Sequence, residues 1–310
     1  MKVVIKLRGE DPVWDRYVEV LGRYTDTSVV YDNELQAVSD ADILITTNLS
    51  REVLEKFPKL HKIFLFKTGM DGLPMQELDE RGISVRASHA NADVIAEHAL
   101  TLSLVLLHRT VEFHNDLTTG NWRADGGNFK WHSLSGMRAG ILGFGTIGKR
   151  LYYKLEHLCA DILTLNRSGR YPDGVKSAGS CKELVRLCDI IFVCLPKNRE
   201  TVGLIDEGML KEMKGKYLVN IGRADVCCER ALYEALKSGI LAGFASDVWY
   251  RNPSKTDAMS TVMPSDLPFH ELKNVVMSPH CATHELDAHE RYIKDTVEAC
   301  LQYITEKRNL

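Results

Sequence analysis

The apolar run Ala139–Leu142 passes straight into Gly143-Phe144-Gly145-Thr146-Ile147-Gly148 and from there into the helical stretch Lys149–Cys159. A strand that enters a helix through GxGxxG restricts the fold more than any other segment of this chain. The first glycine permits a tight turn, the second lets backbone approach a pyrophosphate, and the third lets the helix pack on the strand. The helix then turns its N-terminal amides toward the phosphates. An isolated GxGxxG is a weak signal. Here a strand precedes it, a helix follows, and Asp161–Asn166 supplies the next strand. That setting reads as a dinucleotide-binding β–α–β unit with Gly143, Phe144, Gly145, Thr146, Ile147 and Gly148 at the ligand.

The same alternation runs through the whole chain. Val3–Leu7, Ser28–Tyr31, Asp42–Thr46, Lys62–Phe66 and Ile83–Val85 are short β-type runs between helical stretches. One long helix is expected from Ala92 to Thr118, capped by Asn91 or Asp93 and stopped by Gly120. A second series follows in Arg138–Leu142, Asp161–Asn166, Asp189–Leu195, Lys216–Asn220, Leu241–Val248 and Asn274–Ser278. The chain closes on an amphipathic helix from Glu285 to Glu306. This order predicts an α/β fold: two doubly wound, Rossmann-like domains with parallel sheets and a cleft between them. The expected boundaries are 1–92 with 286–310 for a discontinuous substrate domain, and 93–285 for the dinucleotide domain. A chain of 310 residues is long enough for both.

The strand after the glycine turn ends in Asn166-Arg167-Ser168-Gly169-Arg170, where an NAD-binding unit usually places an acid that bonds the ribose hydroxyls. An acid would repel a 2′-phosphate. Arg167 and Arg170 can pair with one, and Ser168 can donate a hydrogen bond to it. A solvated basic turn beside a neutral ribose contact is the plainer alternative. NADP is therefore favoured over NAD as the cofactor.

Composition narrows the class further. The net charge is −3 with 26% charged residues, so no basic field argues for nucleic acid or an anionic membrane. The longest apolar run, Ala99–Leu107, is too short to span a bilayer. Charges within and just after the first apolar stretch argue against a signal peptide. Eight scattered cysteines without a CxxC pair read as reduced, mostly buried thiols. A cytoplasmic protein is expected, with no nucleic-acid or membrane partner.

Four further segments stand in order at or just after strand ends: Leu195-Pro196 through Ile205, Leu218–Leu236 with "NIGRA", Gly243–Trp249, and Ser278–Ala282 with "SPH". Ligands gather at such ends in parallel sheets. Together with Lys67–Asp71, Asn91–Leu100, Arg109 and Trp122 they make the chain similar, over nearly its whole length, to the D-isomer-specific 2-hydroxyacid dehydrogenases. The resemblance implies that Arg223 holds a substrate carboxylate and polarises its carbonyl, a task suited to a planar guanidinium fork. It implies that His280 donates a proton to the carbonyl oxygen, as an imidazole titrating near neutrality can. It places Asp247 at the nicotinamide carboxamide and Leu195, Pro196, Ile221 and Gly222 along the cofactor. Backbone groups of Thr68, Gly69 and Met70 would approach the substrate from the other domain.

One departure matters. Most family members pair the catalytic histidine with a glutamate five residues after the late aspartate, where this chain has Asn252. A neutral amide supports an imidazolium less, and Asp266 or Glu271 in the following loop is an alternative partner. The amide followed by proline also resembles the family's formate dehydrogenase branch, whose substrate-orienting asparagine matches Asn91. Two weaker patterns are set aside. His280, His284 and His289 do not share a helix face, so no metal is expected. Glu97–His98 is read as a structural feature near the helix start. The expected activity is reduction of a small 2-oxo acid, such as glyoxylate or hydroxypyruvate, to the D-2-hydroxy acid by a homodimer. Formate oxidation is one alternative. A dinucleotide-bound, co-repressor-like interaction protein without turnover is the other.

Overall fold

The computed structural model describes residues 1–32, 40–122, 130–253 and 261–308. The chain forms two compact units, Met1–Asn91 with His284–Leu310, and Ala92–Thr283. Each has one parallel sheet.

In the first unit, strands β1 (Lys2–Leu7), β2 (Asp26–Tyr31), β3 (Ile43–Thr46), β4 (Lys62–Leu65) and β5 (Ser84–Ala87) lie in the order β2-β1-β3-β4-β5. Helices α1 (Val13–Gly22), α2 (Arg51–Glu55) and α3 (Met75–Glu80) join them, and the C-terminal helix Ala288–Arg308 returns to the same sheet. Side chains alternate across a strand, so Val3, Ile5 and Leu7 pack beneath α1 and the C-terminal helix while Val4 packs on the other face. Covering both faces is why these strands read as unbroken apolar runs. Ile293, Val297, Cys300 and Ile304 recur at helical spacing and form the stripe that the last helix buries.

The second unit holds β6 (Arg138–Leu142), β7 (Asp161–Leu165), β8 (Ile190–Val193), β9 (Tyr217–Asn220), β10 (Gly243–Ser246) and β11 (Val275–Met277) in the order β11-β10-β9-β8-β6-β7. All pairs are parallel, and the direction of winding reverses between β6 and β8. Helices α4 (Ala92–Leu107) and α6 (Thr146–Leu155) cover one face; α7 (Cys181–Leu187), α8 (Glu207–Glu212) and α9 (Glu229–Lys237) cover the other. The parallel, doubly wound α/β architecture expected from the sequence is the one observed.

The single long helix is corrected. It breaks after Leu107 into α4 and α5 (Thr110–Thr118), bent by 57°. Arg109 sits at the break with φ 53°, and its guanidinium grips Glu112 at 2.7 and 2.8 Å and the Lys130 carbonyl at 3.2 Å. The buried stripe of α4 ends at Leu107, and α5 buries none of its residues, so burial does not hold the two segments in one straight rod. Gly120, at φ 78°, ends α5 as expected. No single helix among the described residues is long and apolar enough to cross a membrane.

Candidate nucleotide-binding and catalytic site

The sequence-predicted residues of the second unit fall in loops, or in the first turn of α6, following the carboxyl ends of its strands. The turn after β6 comes first. Gly143 has φ +102°, and a Cβ there would stand 2.8 Å from the Cys194 carbonyl. A Cβ on Gly148 would collide with the Gly143 carbonyl, so both glycines answer to the fold itself. Gly145 is different. Its φ of −84° suits any residue, and a Cβ would meet no protein atom within 4 Å. Nothing in the polypeptide requires glycine there, whereas a pyrophosphate lying on the backbone would.

Helix α6 begins on that glycine without a side-chain cap, while Ser50, Ser180 and Asp206 cap α2, α7 and α8. The first-turn amides at Thr146, Ile147 and Gly148 are those a helix leaves without internal acceptors. The turn therefore fits a dinucleotide. Phe144 is the exception among the motif residues. Its ring is buried against Tyr152 and Tyr171, and its N–H donates to the Leu165 carbonyl at 3.2 Å. It shapes the turn from beneath.

After β7, Asn166 organises its own loop. Its side-chain oxygen accepts from Gly169 N–H at 2.8 Å and from Ser168 Oγ at 3.2 Å, and its amide donates to the Arg170 carbonyl at 3.0 Å. Arg167 projects from this turn 85% exposed, with Glu200 at 3.6 Å. Leu195 and Pro196 follow β8, and the Pro196 carbonyl accepts from Thr201 Oγ1 at 2.6 Å.

Arg223 ends the turn after β9. Asn220, only 1% exposed, holds that turn by accepting from Gly222 N–H and donating to the Arg223 carbonyl, both at 3.0 Å. Gly222 lies so close to Leu195 that a Cβ would strike its carbonyl. This packs the turn carrying Ile221 and Gly222 beside the end of β8. Asn220 was missed in the sequence, where its signal was an asparagine closing an apolar strand just before a glycine.

His280 stands exposed in the loop after β11 with φ 57°. Left-handed backbone costs about 1–2 kcal/mol for a residue with a Cβ, so neighbours must enforce it. Asp247, 2% exposed at the end of β10, does so. Its Oδ1 accepts from Ser278 Oγ at 2.6 Å and Cys281 N–H at 2.9 Å, and its Oδ2 accepts from Ala282 N–H at 2.9 Å. Trp249 Nε1 adds a bond to the Ser278 carbonyl at 2.9 Å. These contacts bracket His280 on both sides. They leave the carboxylate little capacity for the carboxamide contact expected of it.

Burial by itself would raise the Asp247 pKa. The hydrogen bonds from His98, Ser278, Ala282 and Cys281 outweigh it and hold the group at about 2. A carboxyl depressed below its ordinary 3.8 stabilises the fold above that value, and the contribution is lost as pH falls toward about 2. Trp249 fluorescence should therefore report an acid-induced loosening of the loop in that window, and the step should vanish in Asp247→Asn. An identical acid step in the variant would contradict the assignment.

Asn252 is exposed, and among the described residues no hydrogen bond joins it to His280. Asp266 pairs instead with Arg251, and Glu271 lies beside His270. Neither proposed carboxylate partner is in place.

In the first unit, the expected substrate turn follows β4. Thr68 Oγ1 bonds the Tyr292 hydroxyl at 2.8 Å, Gly69 follows, and Met70 is 45% exposed. Asn91 is corrected. It is wholly buried, with its amide donating to the Ala288 carbonyl at 2.7 Å and its oxygen accepting from Arg291 Nε at 2.9 Å. Its oxygen and one amide N–H anchor the start of the C-terminal helix, a structural role in place of the substrate contact expected of it.

Residues 100–282 match the sequence profile of the D-isomer specific 2-hydroxyacid dehydrogenase NAD binding domain. The chain is similar to a glyoxylate reductase of Thermococcus kodakarensis, 31% identical over 272 residues that cover 83% of this chain and 78% of the relative. It is also similar to a formate dehydrogenase of Pichia angusta, 28% identical over 290 residues, which cover 87% and 78% of the two chains. Among solved structures, a protein from Pyrococcus horikoshii OT3 superposes with a TM-score of 0.81 at 28% identity, over 97% of this chain and 91% of that one. The chain belongs to the D-isomer specific 2-hydroxyacid dehydrogenase family and is an NAD(P)-dependent oxidoreductase.

Proposed function

We propose that the enzyme reduces a small 2-oxo acid to the D-2-hydroxy acid with NADPH. The observation that carries this reading is the pair Arg223 and His280. Each follows a strand of one parallel sheet, and each is presented by a loop that a buried polar side chain, Asn220 or Asp247, holds in shape. The reduced nicotinamide supplies the hydride. Arg223 binds the carboxylate and draws charge toward the carbonyl oxygen, which receives its proton from the His280 imidazole. Gly145 with the first turn of α6 would hold the pyrophosphate. The likeness to a glyoxylate reductase supports the choice of substrate class.

The cofactor preference rests on Arg167, Ser168 and Arg170. An exposed arginine whose neighbour Glu200 stands 3.6 Å away is loosely held, and a 2′-phosphate offers it a stronger charge-assisted contact. NADPH should exceed NADH in kcat/KM by at least about tenfold, which is about 1.4 kcal/mol. Arg167→Ala should erase most of that margin and leave NADH use unchanged. Equal use of both cofactors by the wild-type enzyme would defeat the assignment.

The working assembly is a homodimer. Val111 and Leu117 on α5, with Trp122 and Trp131, expose between 48% and 74% of their surfaces, an apolar group suited to a second copy. The eight free cysteines suit a reducing, cytoplasmic setting. Formate oxidation is the second reading, favoured by the similarity to formate dehydrogenase and by the amide at Asn252. The burial of Asn91, whose oxygen and one amide N–H are taken up by the C-terminal helix, weighs against it. A panel of 2-oxo acids with NADPH and NADH, run beside formate with NAD and NADP, separates the two. It also exposes a binder without turnover, which would use none of them.

A further inference from the structure

His98 lies on α4, remote in sequence from the loop that carries His280. Its Nε2 nevertheless stands 3.1 Å from Ser278 Oγ and 3.4 Å from Asp247 Oδ1. The single Ser278 hydroxyl proton is directed to Asp247 at 2.6 Å, so toward His98 the serine oxygen can only accept. In the tautomer with its proton on Nε2, His98 donates to that serine oxygen, with Asp247 Oδ1 beside it at 3.4 Å. Cys281 Sγ also lies near, with the three ligand-type atoms of His98, Asp247 and Cys281 within 4.8 Å of one another. The carboxylate already accepts from Ser278, Cys281 and Ala282, which makes this a hydrogen-bond network in which His98 is the member contributed by a helix.

We propose that His98 is a positioning residue for His280, anchoring the Asp247–Ser278 pair to α4 and so fixing the left-handed turn that presents the imidazole. The proposal rests on the reading of His280 as proton donor. Asp247 alone ties the loop to the end of β10. His98 adds a second attachment, on a 16-residue helix packed against the same sheet. It limits rotation of the carboxylate and keeps the serine oxygen engaged. A loop fixed from two elements holds a side chain more closely than a loop fixed from one, and small displacements of a reacting group are costly in rate.

The test compares His98→Leu, which removes the donor, with His98→Gln, whose side-chain amide can donate from a similar place. Steady-state kinetics are measured with the best oxo acid and NADPH. Dinucleotide affinity is followed by fluorescence, and the alkylation rate of Cys281 by peptide mass spectrometry. His98→Leu should lower kcat by about 10–100-fold while KM and NADPH affinity stay within about threefold. Cys281, adjoining His280, should alkylate faster by about tenfold or more as the loop loosens. His98→Gln should restore both quantities to within about threefold of wild type. Ser278→Ala, which keeps His98 but breaks its link, should behave like His98→Leu.

Wild-type kcat and an unchanged alkylation rate in His98→Leu would overturn the proposal. So would equal losses in His98→Leu and His98→Gln, or a matching loss of NADPH affinity, since either marks a general packing role. His280→Ala separates the two levels of the argument. If it retains full turnover, the catalytic reading fails and the positioning role with it. If it is impaired while His98→Leu is not, only the positioning role fails.

Discussion

His280→Ala is expected to lower kcat for oxo-acid reduction by about 10²–10⁴, the range that loss of a general acid produces. Folding and NADPH affinity should be preserved, because the imidazole is exposed and its loop is held by Asp247 and Trp249 through neighbouring groups. Alanine tolerates left-handed backbone no better than histidine, so the substitution leaves that local cost in place. His280→Gln keeps hydrogen-bonding capacity but cannot transfer a proton near neutrality, and should be impaired nearly as much. Stopped-flow absorbance of the nicotinamide resolves the hydride step itself. A hydride step at the wild-type rate in both variants would remove His280 from the chemistry.

Arg223→Ala should be as damaging by a different route. The side chain supplies the charge for a substrate carboxylate, so kcat/KM should fall by at least about 10³, or about 4 kcal/mol. The loss should appear in KM as well as kcat. Dinucleotide affinity should stay within a few-fold, since Asn220 holds the turn through the backbone of Gly222 and Arg223 and does not need the guanidinium. Arg223→Lys keeps the charge but loses the two-pronged geometry, and should fall between alanine and wild type. An alanine variant that still saturates with oxo acid at wild-type concentrations would mean that another cation binds the carboxylate.

The features that sequence revealed are those written within one segment. The strand runs lie where expected because covering a parallel sheet on both faces demands continuous apolar residues. The glycine turn was legible because strand, turn and helix are adjacent. Within the motif, only the structure separates Gly143 and Gly148, which the polypeptide requires, from Gly145, which it does not.

What the sequence concealed depends on residues far apart. Asn91 resembled a substrate residue by its place in a motif, and its true partners, Ala288 and Arg291, lie near the other end of the chain. His98 was read as a feature of a helix start, and only the fold brings it to Asp247 and Ser278. The break at Arg109 is hidden in the sequence because the helical stretch continues beyond it, while the buried stripe stops at Leu107. Asn252 took its expected role from its spacing after Asp247. The loop carries it into solvent instead.

In the proposed reaction NADPH would supply a hydride to the carbonyl carbon of a 2-oxo acid and His280 a proton to its oxygen, giving the D-product. It is tested with NADPH carrying deuterium at the transferable C4 position and, as acceptor, hydroxypyruvate or the best acid of the panel other than glyoxylate, whose product has no stereocentre. Chiral separation and mass spectrometry of the product then read both the label and the hand. Deuterium on C2 of the D-2-hydroxy acid is the expected result. A product of the opposite hand, a product without deuterium at C2 from either labelled face of the cofactor, or no product from any oxo acid while formate reduces the oxidised cofactor, would contradict it.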